Sequence, residues 1–409
     1  MQNNQNNFIK ILPLLAWVIS SFLVLFQVSL QTSTSVMIHD LQKAFSVDVL
    51  GVSILASSYF YTYLFLQIPA GIIIDRYGVR LTLTIGFLLA AFSCFLFAKS
   101  HLVSWAVASR IILGIAAAPG VVAALYLTAR CFPARYFALI AGLMECLGML
   151  GGVLGESAMA RLVAAFGWRA TFLGCAMIAF LMGVAAWMVV RDPLDLETKA
   201  RDKRNSWHQL LCVIRLPQAW VNGLVTGLIF AVLASFAGLW CVPYLMSRYH
   251  VPLNNAADAS ALIFLGAAFG APILGWLSDH FGQRKSLMII FTALMLLIML
   301  IIFYAPIAFD TIYFYLFLLG VTSGVYVLPF AVMRDITPHH VRGTAMGYTN
   351  MMCIIIGAPL LTPMVGWILT QQPDQYQLAL ILFPVSLLLA LLLTFFVRET
   401  YCRSIDYSI

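Results

Sequence analysis

Apolar residues in this chain come in long unbroken runs. They show neither the one-face stripe of a surface helix nor the alternation of a half-buried strand. The runs lie near 11–37, 50–74, 81–99, 103–129, 137–161, 170–190, 218–246, 257–277, 286–306, 312–333, 343–370 and 377–397. Each reaches roughly the 20 residues that a helix needs to cross a bilayer, and each far exceeds the roughly 9–11 of a barrel strand. Six runs precede and six follow one long polar break, Arg191 to Arg215, which reads as a solvated linker. The pattern predicts an all-α integral membrane protein of twelve transmembrane helices. Residues 1–190 form an N-terminal six-helix bundle, 191–217 a cytoplasmic linker and 218–409 a C-terminal six-helix bundle.

Composition excludes the soluble alternatives. The chain is 62% hydrophobic and 10% charged, with mean hydropathy +0.96, whereas a soluble domain carries about 25% charge. Its solvent is therefore mostly lipid. The net charge of +7 is spread over short loops with no dense patch, so a nucleic-acid partner is not expected. With the N-terminus inside, 17 of the 23 basic residues fall on the inner side. By the positive-inside rule both termini are then cytoplasmic, and a bacterial inner membrane is the expected location. The polar start, Met1 to Asn7, and the long first run predict a retained first helix rather than a cleaved signal.

The eight cysteines show no metal-ligand spacing and read as small buried hydrophobes. No metal or cofactor is expected. Neither GxSxG nor HExxH is present, and His101, His250 and His339 sit near helix ends. An enzyme is therefore not expected, and no filter-like repeat suggests a channel.

An internal repeat organises the chain. Gly71, Asp75, Gly78 and Arg80, with Arg76 between, stand in the turn between helices 2 and 3; Gly275, Asp279, Gly282 and Arg284 stand between helices 8 and 9, at the same relative positions. Glycine permits close approach and a sharp turn. A carboxylate at a helix end is suited to a facing helix N-terminus. Arg76 and Arg80 can grip that carboxylate or the last carbonyls of a helix.

This GxxxDxxGxR spacing, the six-plus-six division, the Gly167-Trp168-Arg169 turn, and Arg110 with Gly114 in helix 4 resemble the major facilitator superfamily over the whole chain. The resemblance implies two pseudo-symmetric bundles, a substrate site near the midplane and alternating access by rocking. It also implies that the motif latches the cytoplasmic side, with Asp75 touching helix 11 and Arg130 at the end of helix 4. Drug exporters of the superfamily carry a Gly-Pro-rich helix 5. Here Gly148 to Glu156 keeps the glycines but lacks the proline, which favours uptake over drug–proton exchange.

Three ionisable residues lie well inside helices: Arg110, Glu145 and Glu156. Each costs at least about 2.5–3.5 kcal/mol at depth and is a functional candidate for that reason. Counting about 1.5 Å per residue, Arg110 is ~9 Å outward of the midplane, Glu156 ~12 Å outward and Glu145 ~4–5 Å inward. Arg110 and Glu156 are thus expected to share a level and to pair. That pair is either a static brace of helices 4 and 5, or Arg110 binds a substrate carboxylate and responds to protonation of Glu156. Glu145 and Glu156 are the candidates for proton coupling.

Neutral substrate contacts are expected from Gln27 and Gln31 on helix 1, and from Tyr59 and Tyr63, with Gln67, on helix 2. The second half offers Trp240 and Tyr244 on helix 7, Tyr326 on helix 10 and Asn350 on helix 11. Residues four apart share a helix face, and an unpaired amide in hydrocarbon is costly. The reading that follows is a monomeric, proton-coupled secondary transporter for uptake of a small carboxylate-bearing solute: an amino acid, a short peptide or an organic acid. Its partners are that substrate, the proton and the bilayer. The alternative is a proton-driven exporter of drugs or siderophores.

Overall fold

The computed structural model describes residues 2–131, 137–191, 211–337, 342–372 and 375–402. Among them the regular structure is helical throughout. The chain divides into two compact units. The first holds the chain up to Val47 and from Ser58 through the sixth crossing; the second holds Asp48–Ser57 and the part beyond the linker.

In the first unit, α1 (Gln2–Thr32) stops at a break that resumes as a 3-10 turn, Ser35–Met37, and then α2 (Ile38–Phe45). Next, α3 (Val49–Lys99) contains two crossings separated by Gly78, whose φ of 82° only glycine adopts without strain. The third segment is α4 (Val103–Cys131). After it, α5 (Phe137–Val153) runs through a π-helical turn, Leu154–Ala158, into α6 (Met159–Val189). The apolar stretch Gly142–Val189 has 48 residues, about 72 Å of helix against a hydrocarbon core of about 30 Å. It cannot be one crossing, and Gly167, with φ 77°, divides it. With that division the 11 apolar stretches long enough to span a membrane among the described residues make twelve crossings.

The second unit repeats the plan. A π segment, Val232–Trp240, interrupts α7 (Pro217–Ala231) and α8 (Cys241–Tyr249). Then follow α9 (Leu253–Phe281), α10 (Lys285–Tyr304) and α11 (Phe309–Ser323), with a 3-10 turn at Gly324–Val327 leading to α12 (Leu328–Ile336). Last come α13 (Arg342–Ile355), a π segment at Ile356–Leu361, α14 (Thr362–Gln371), α15 (Tyr376–Leu380) and α16 (Leu382–Thr394). The fifth crossing of each unit therefore carries its π segment at an equivalent place, 154 and 356, close to the 75-to-279 spacing of the motif. The first crossing of each unit is likewise broken, after Thr32 and at Val232–Trp240.

Close packing, not a hydrophobic drive, holds such helices together in lipid. On α5 and its π turn, a Cβ at Gly155 would collide with the Thr32 hydroxyl and the Ser29 carbonyl. This lack of a side chain lets helix 1 lie directly on helix 5. The inner half of the unit packs Leu23, Phe87, Ala124 and Leu127 into one buried cluster, and Trp17 Nε1 donates to Thr128 Oγ1 at 3.0 Å. In the second unit Phe236, Tyr244, Phe303 and Phe383 form an aromatic cluster with ring centroids 5.3–6.4 Å apart at its tilted and edge-on contacts.

Candidate functional site

The break after Thr32 gathers the two most buried charges of the first unit. Past Thr32 the helical ladder has no N–H for the last carbonyls of α1, and side chains take its place. Arg110 on α4 donates from Nη1 to Leu30 O at 2.8 Å and from Nη2 to Thr34 Oγ1 at 2.9 Å. A cation is favoured there, because a helix C-terminus carries partial negative charge. The guanidinium lies 4.6 Å from the Phe97 ring centre and 5.6 Å from that of Phe172, and the residue is 2% exposed. Its Nε has no hydrogen-bond partner.

Glu156 sits in the π turn of helix 5 and is 0% exposed. Its Oε1 lies 2.8 Å from Ser35 Oγ, and its Oε2 has no partner. The Ser35 hydroxyl also lies 2.7 Å from Thr32 O. Arg110 and Glu156 therefore do not form the direct ion pair expected of them. They share a level, as the depth count implied, but helix 1 comes between them, so each charge binds the break and not the other. Nor is the Arg110 guanidinium open to a solute, since two phenylalanines and helix 1 cover it. Ser35 and Thr34 were missed in the sequence because hydroxyls in an apolar run look like ordinary helix residues. The cluster Thr32-Ser33-Thr34-Ser35 was the available signal, since such side chains compete for backbone groups and favour helix ends.

The other expected residues of this unit fall on several levels. Glu145 is half-buried on α5, three turns inward of Glu156. Gln27 is 3% exposed; its Oε1 faces the Gly120 position of α4 and has no hydrogen-bond partner. Gln31, one turn on, is half-buried. The rings of Tyr59 and Tyr63 stack at 5.5 Å, both buried, and Gln67 Nε2 on the same stripe is unpaired.

In the second unit Trp240, at the end of its π segment, is 1% exposed with an unpaired Nε1. Tyr244 is tied to a helix end: its hydroxyl donates to Ile302 O at 3.0 Å and receives Arg248, which also binds the carbonyls of Phe303 and Ala305. Together they cap the C-terminus of α10. Tyr326 packs on Phe230 at 5.0 Å, and its carbonyl receives Thr226 Oγ1 at 3.0 Å. Asn222 Nδ2 binds Pro329 O at 2.6 Å, leaving its Oδ1 unpaired. Asn350 is half-buried on α13. The hydroxyls of Ser235 and Thr362 meet at 2.7 Å, joining the two π segments.

Side chains of Gly71, Asp75, Arg76 and Arg130 lie outside the described residues, and so does the expected contact of Asp75. Arg80 takes one of its two expected roles: Nε donates to Trp187 O, near the end of α6, at 2.8 Å, and the guanidinium stacks 4.0 Å over the indole. In the second copy, α9 ends at Gly282 with φ 63°, while a Cβ at Gly275 would meet open space. Arg284 is 2% exposed and binds Asp335 Oδ2 at 2.7 Å; the expected partner Asp279 is 3.5 Å away and largely exposed. Thr400 Oγ1 joins Asp335 at 2.9 Å, and the Glu399 carboxylate caps α10 through the N–H groups of Arg284 and Lys285 at 3.0 and 2.8 Å. Asp335 and Glu399 are the chief residues missed here, because each lies just beyond an apolar run and reads as loop.

Among the described residues no group of three or more His, Cys, Asp or Glu could hold a metal.

The sequence pattern of the Major Facilitator Superfamily matches residues 17–257 and 241–403. The chain is 25% identical over 291 residues to the uncharacterized transporter YybO of Bacillus subtilis, covering 66% of each. It is 29% identical over 192 residues to the gentisate transporter of Corynebacterium glutamicum, covering 45% of this chain and 42% of that one. It is 20% identical over 261 residues to the probable L-galactonate transporter of Escherichia coli, covering 61% and 58%. These alignments span 42–66% of the relatives' own lengths. The crystal structure of the nucleoside transporter NupG superposes with a TM-score of 0.77 at 14% identity, covering 94% of this chain and 99% of that one, which is a likeness of fold. Twelve crossings, paired interruptions in the first and fifth crossings and a family match along nearly the whole length leave one conclusion: the chain belongs to the Major Facilitator Superfamily.

Proposed function

We propose that the protein is a secondary active transporter that takes up a small organic anion with protons. One observation carries the reading: a fully buried carboxyl, Glu156, is bound to Ser35 while the neighbouring Thr34 is held by the equally buried Arg110. A carboxyl at that depth is far cheaper neutral than ionised, so it gains and loses a proton readily as its surroundings change. Glu156 is the proton carrier, and half-buried Glu145 is a secondary one. Arg110 holds the helix 1 break and adds a positive field rather than gripping substrate.

Gln27, Gln31, Tyr59 and Tyr63 in the first unit, and Trp240, Tyr326 and Asn350 in the second, supply neutral contacts. An organic acid is favoured over an amino acid or peptide, because two relatives are described as carrying gentisate and L-galactonate, both carboxylates. The bias of basic residues toward one side supports a reading in which both termini are cytoplasmic, and we take the protein to work as a monomer in a bacterial inner membrane.

Purified protein in liposomes tests this. Gentisate, galactonate, amino acids and dipeptides are offered with the outside acidic. Accumulation of an organic acid that collapses with a protonophore supports the reading. Uptake indifferent to the gradient, or extrusion of cationic drugs, overturns it.

A further inference from the structure

Ser35 presents an accounting problem that only its neighbours solve. Its Oγ lies 2.7 Å from Thr32 O and 2.8 Å from Glu156 Oε1, yet a hydroxyl has a single hydrogen to give. Both other groups are acceptors when Glu156 is ionised, so one of them goes without. All three residues are buried, with Thr32 and Glu156 at 0% and Ser35 at 3% exposure, and an unpaired buried acceptor is costly.

The conflict disappears when Glu156 carries a proton. Its Oε1–H then donates to Ser35 Oγ, and Ser35 donates to Thr32 O, so these three atoms are all paired, while Oε2 stays without a partner. Removal of the proton reverses the first bond. Ser35 turns its hydrogen to the carboxylate, where the charge makes the bond about twice as strong, and Thr32 O is left without a donor. We infer that Ser35 is a positioning residue that converts the protonation of Glu156 into closure of the helix 1 break: with the proton on, the break is stapled; with it off, the link between Ser35 and the end of α1 is released. The segment that responds is Ser35–Met37 with α2, the outer end of helix 1. No bond other than O–H is made or broken, and the proton that leaves Glu156 is the one that the transport cycle carries.

The second unit provides the internal contrast. There the corresponding interruptions, in the first and fifth crossings, are tied by Ser235 and Thr362 at 2.7 Å. Both are hydroxyls, one of which donates while the other accepts, so no titration can redirect them. Other charged groups on the elements around Glu156 are engaged or distant. Arg110 on α4 binds Leu30 and Thr34, and Arg161 on α6 binds Ser157. Arg169, also on α6, binds Ser100 O. Cys175 lies further along that helix, and Glu145 and Cys146 lie inward on α5. His39 and Asp40 on α2 are exposed, as is Lys43.

This deepens the proton-coupled reading and rests on its placement of the proton at Glu156. Amide hydrogen exchange of the 30–45 segment, in the intact protein in nanodiscs, tests it across pH after correction for intrinsic exchange. In the wild type, protection should fall by about fivefold on going alkaline, the worth of one net hydrogen bond. Glu156→Gln, whose amide always donates to Ser35, should stay protected at every pH. Ser35→Ala should lose the pH dependence, and Ser35→Thr, which keeps the hydroxyl, should restore it. Protection that ignores pH in the wild type, or a wild-type profile in Ser35→Ala, overturns the switch. Should Ser35→Ala fail to fold, Glu156→Gln decides alone: exchange that still varies with pH overturns it. Uptake that ignores the pH gradient while the exchange profile behaves as stated would overturn proton-coupled transport and leave the switch standing.

Discussion

Arg110 and Glu156 bind adjacent residues of one helix break without touching each other: Arg110 Nη2 reaches Thr34 Oγ1 at 2.9 Å, and Glu156 Oε1 lies 2.8 Å from Ser35 Oγ. A direct pair on helices 4 and 5 would brace two helices and leave helix 1 independent of both charges. The arrangement found ties the end of helix 1 beyond Thr32 to both.

The first prediction concerns stability. Arg110→Ala takes the guanidinium from Thr34 and from Leu30 O, which keeps only the Ser33 hydroxyl, and leaves a void beside Phe97 and Phe172. Losing charge-assisted hydrogen bonds should cost about 2–3 kcal/mol, read as a lower thermal unfolding midpoint in detergent. Arg110→Lys should recover little, because one ammonium cannot reproduce the two-pronged geometry.

Coupling should separate the two carboxyls of helix 5. Glu156→Gln is expected to abolish accumulation driven by a pH gradient while sparing exchange of labelled for unlabelled substrate. Glu145→Gln, at a half-buried position, should reduce accumulation only in part. Equal effects of the two substitutions would count against Glu156 as the carrier.

Near the end of α12, Asp335→Ala should be strongly destabilising. It strips buried Arg284 of its 2.7 Å partner and also frees Thr400; removing one member of a buried pair typically costs about 3–5 kcal/mol. Glu399→Ala removes a helix cap and the carboxylate that the N–H groups of Thr400 and Tyr401 also reach, and should cost less, about 1–2 kcal/mol. Chemical or thermal unfolding of the two variants side by side checks the ranking.

Close approach of helices 1 and 5 depends on a missing side chain. Gly155→Val should force the helices apart, because even a Cβ collides with Thr32 and Ser29. Poor folding or a sharp loss of thermal stability is expected, and a wild-type midpoint would show that the packing at this crossing is looser than described. Gly142→Ala, whose Cβ meets nothing within 4 Å, is the control on the same helix.

Much of this was legible in the order of residues. Apolar run lengths determine the number of crossings, because lipid leaves the backbone no hydrogen-bonding choice but helix. The polar break at 191–215 and the repeated Gly-Asp-Gly-Arg spacing mark two like halves, and the cost of charge in hydrocarbon singles out Arg110, Glu145 and Glu156. None of these inferences requires knowing which helix touches which.

Partnership is what only the tertiary structure decided. The depth count placed Arg110 and Glu156 level with each other, but depth is one coordinate, and the side of the helix on which each points decides its partner. Helix 1 lies between them because Gly155 lets it come close, and its break offers a carbonyl end to the cation and hydroxyls to both charges. The π turn that seats Glu156 has no proline to announce it, and Asp335 and Glu399 gain meaning only where Arg284 and the start of α10 meet them. Local pattern sets what a segment is, because backbone satisfaction is local; long-range packing sets what a side chain does, because a buried polar atom takes whatever partner the fold brings within 3 Å or so.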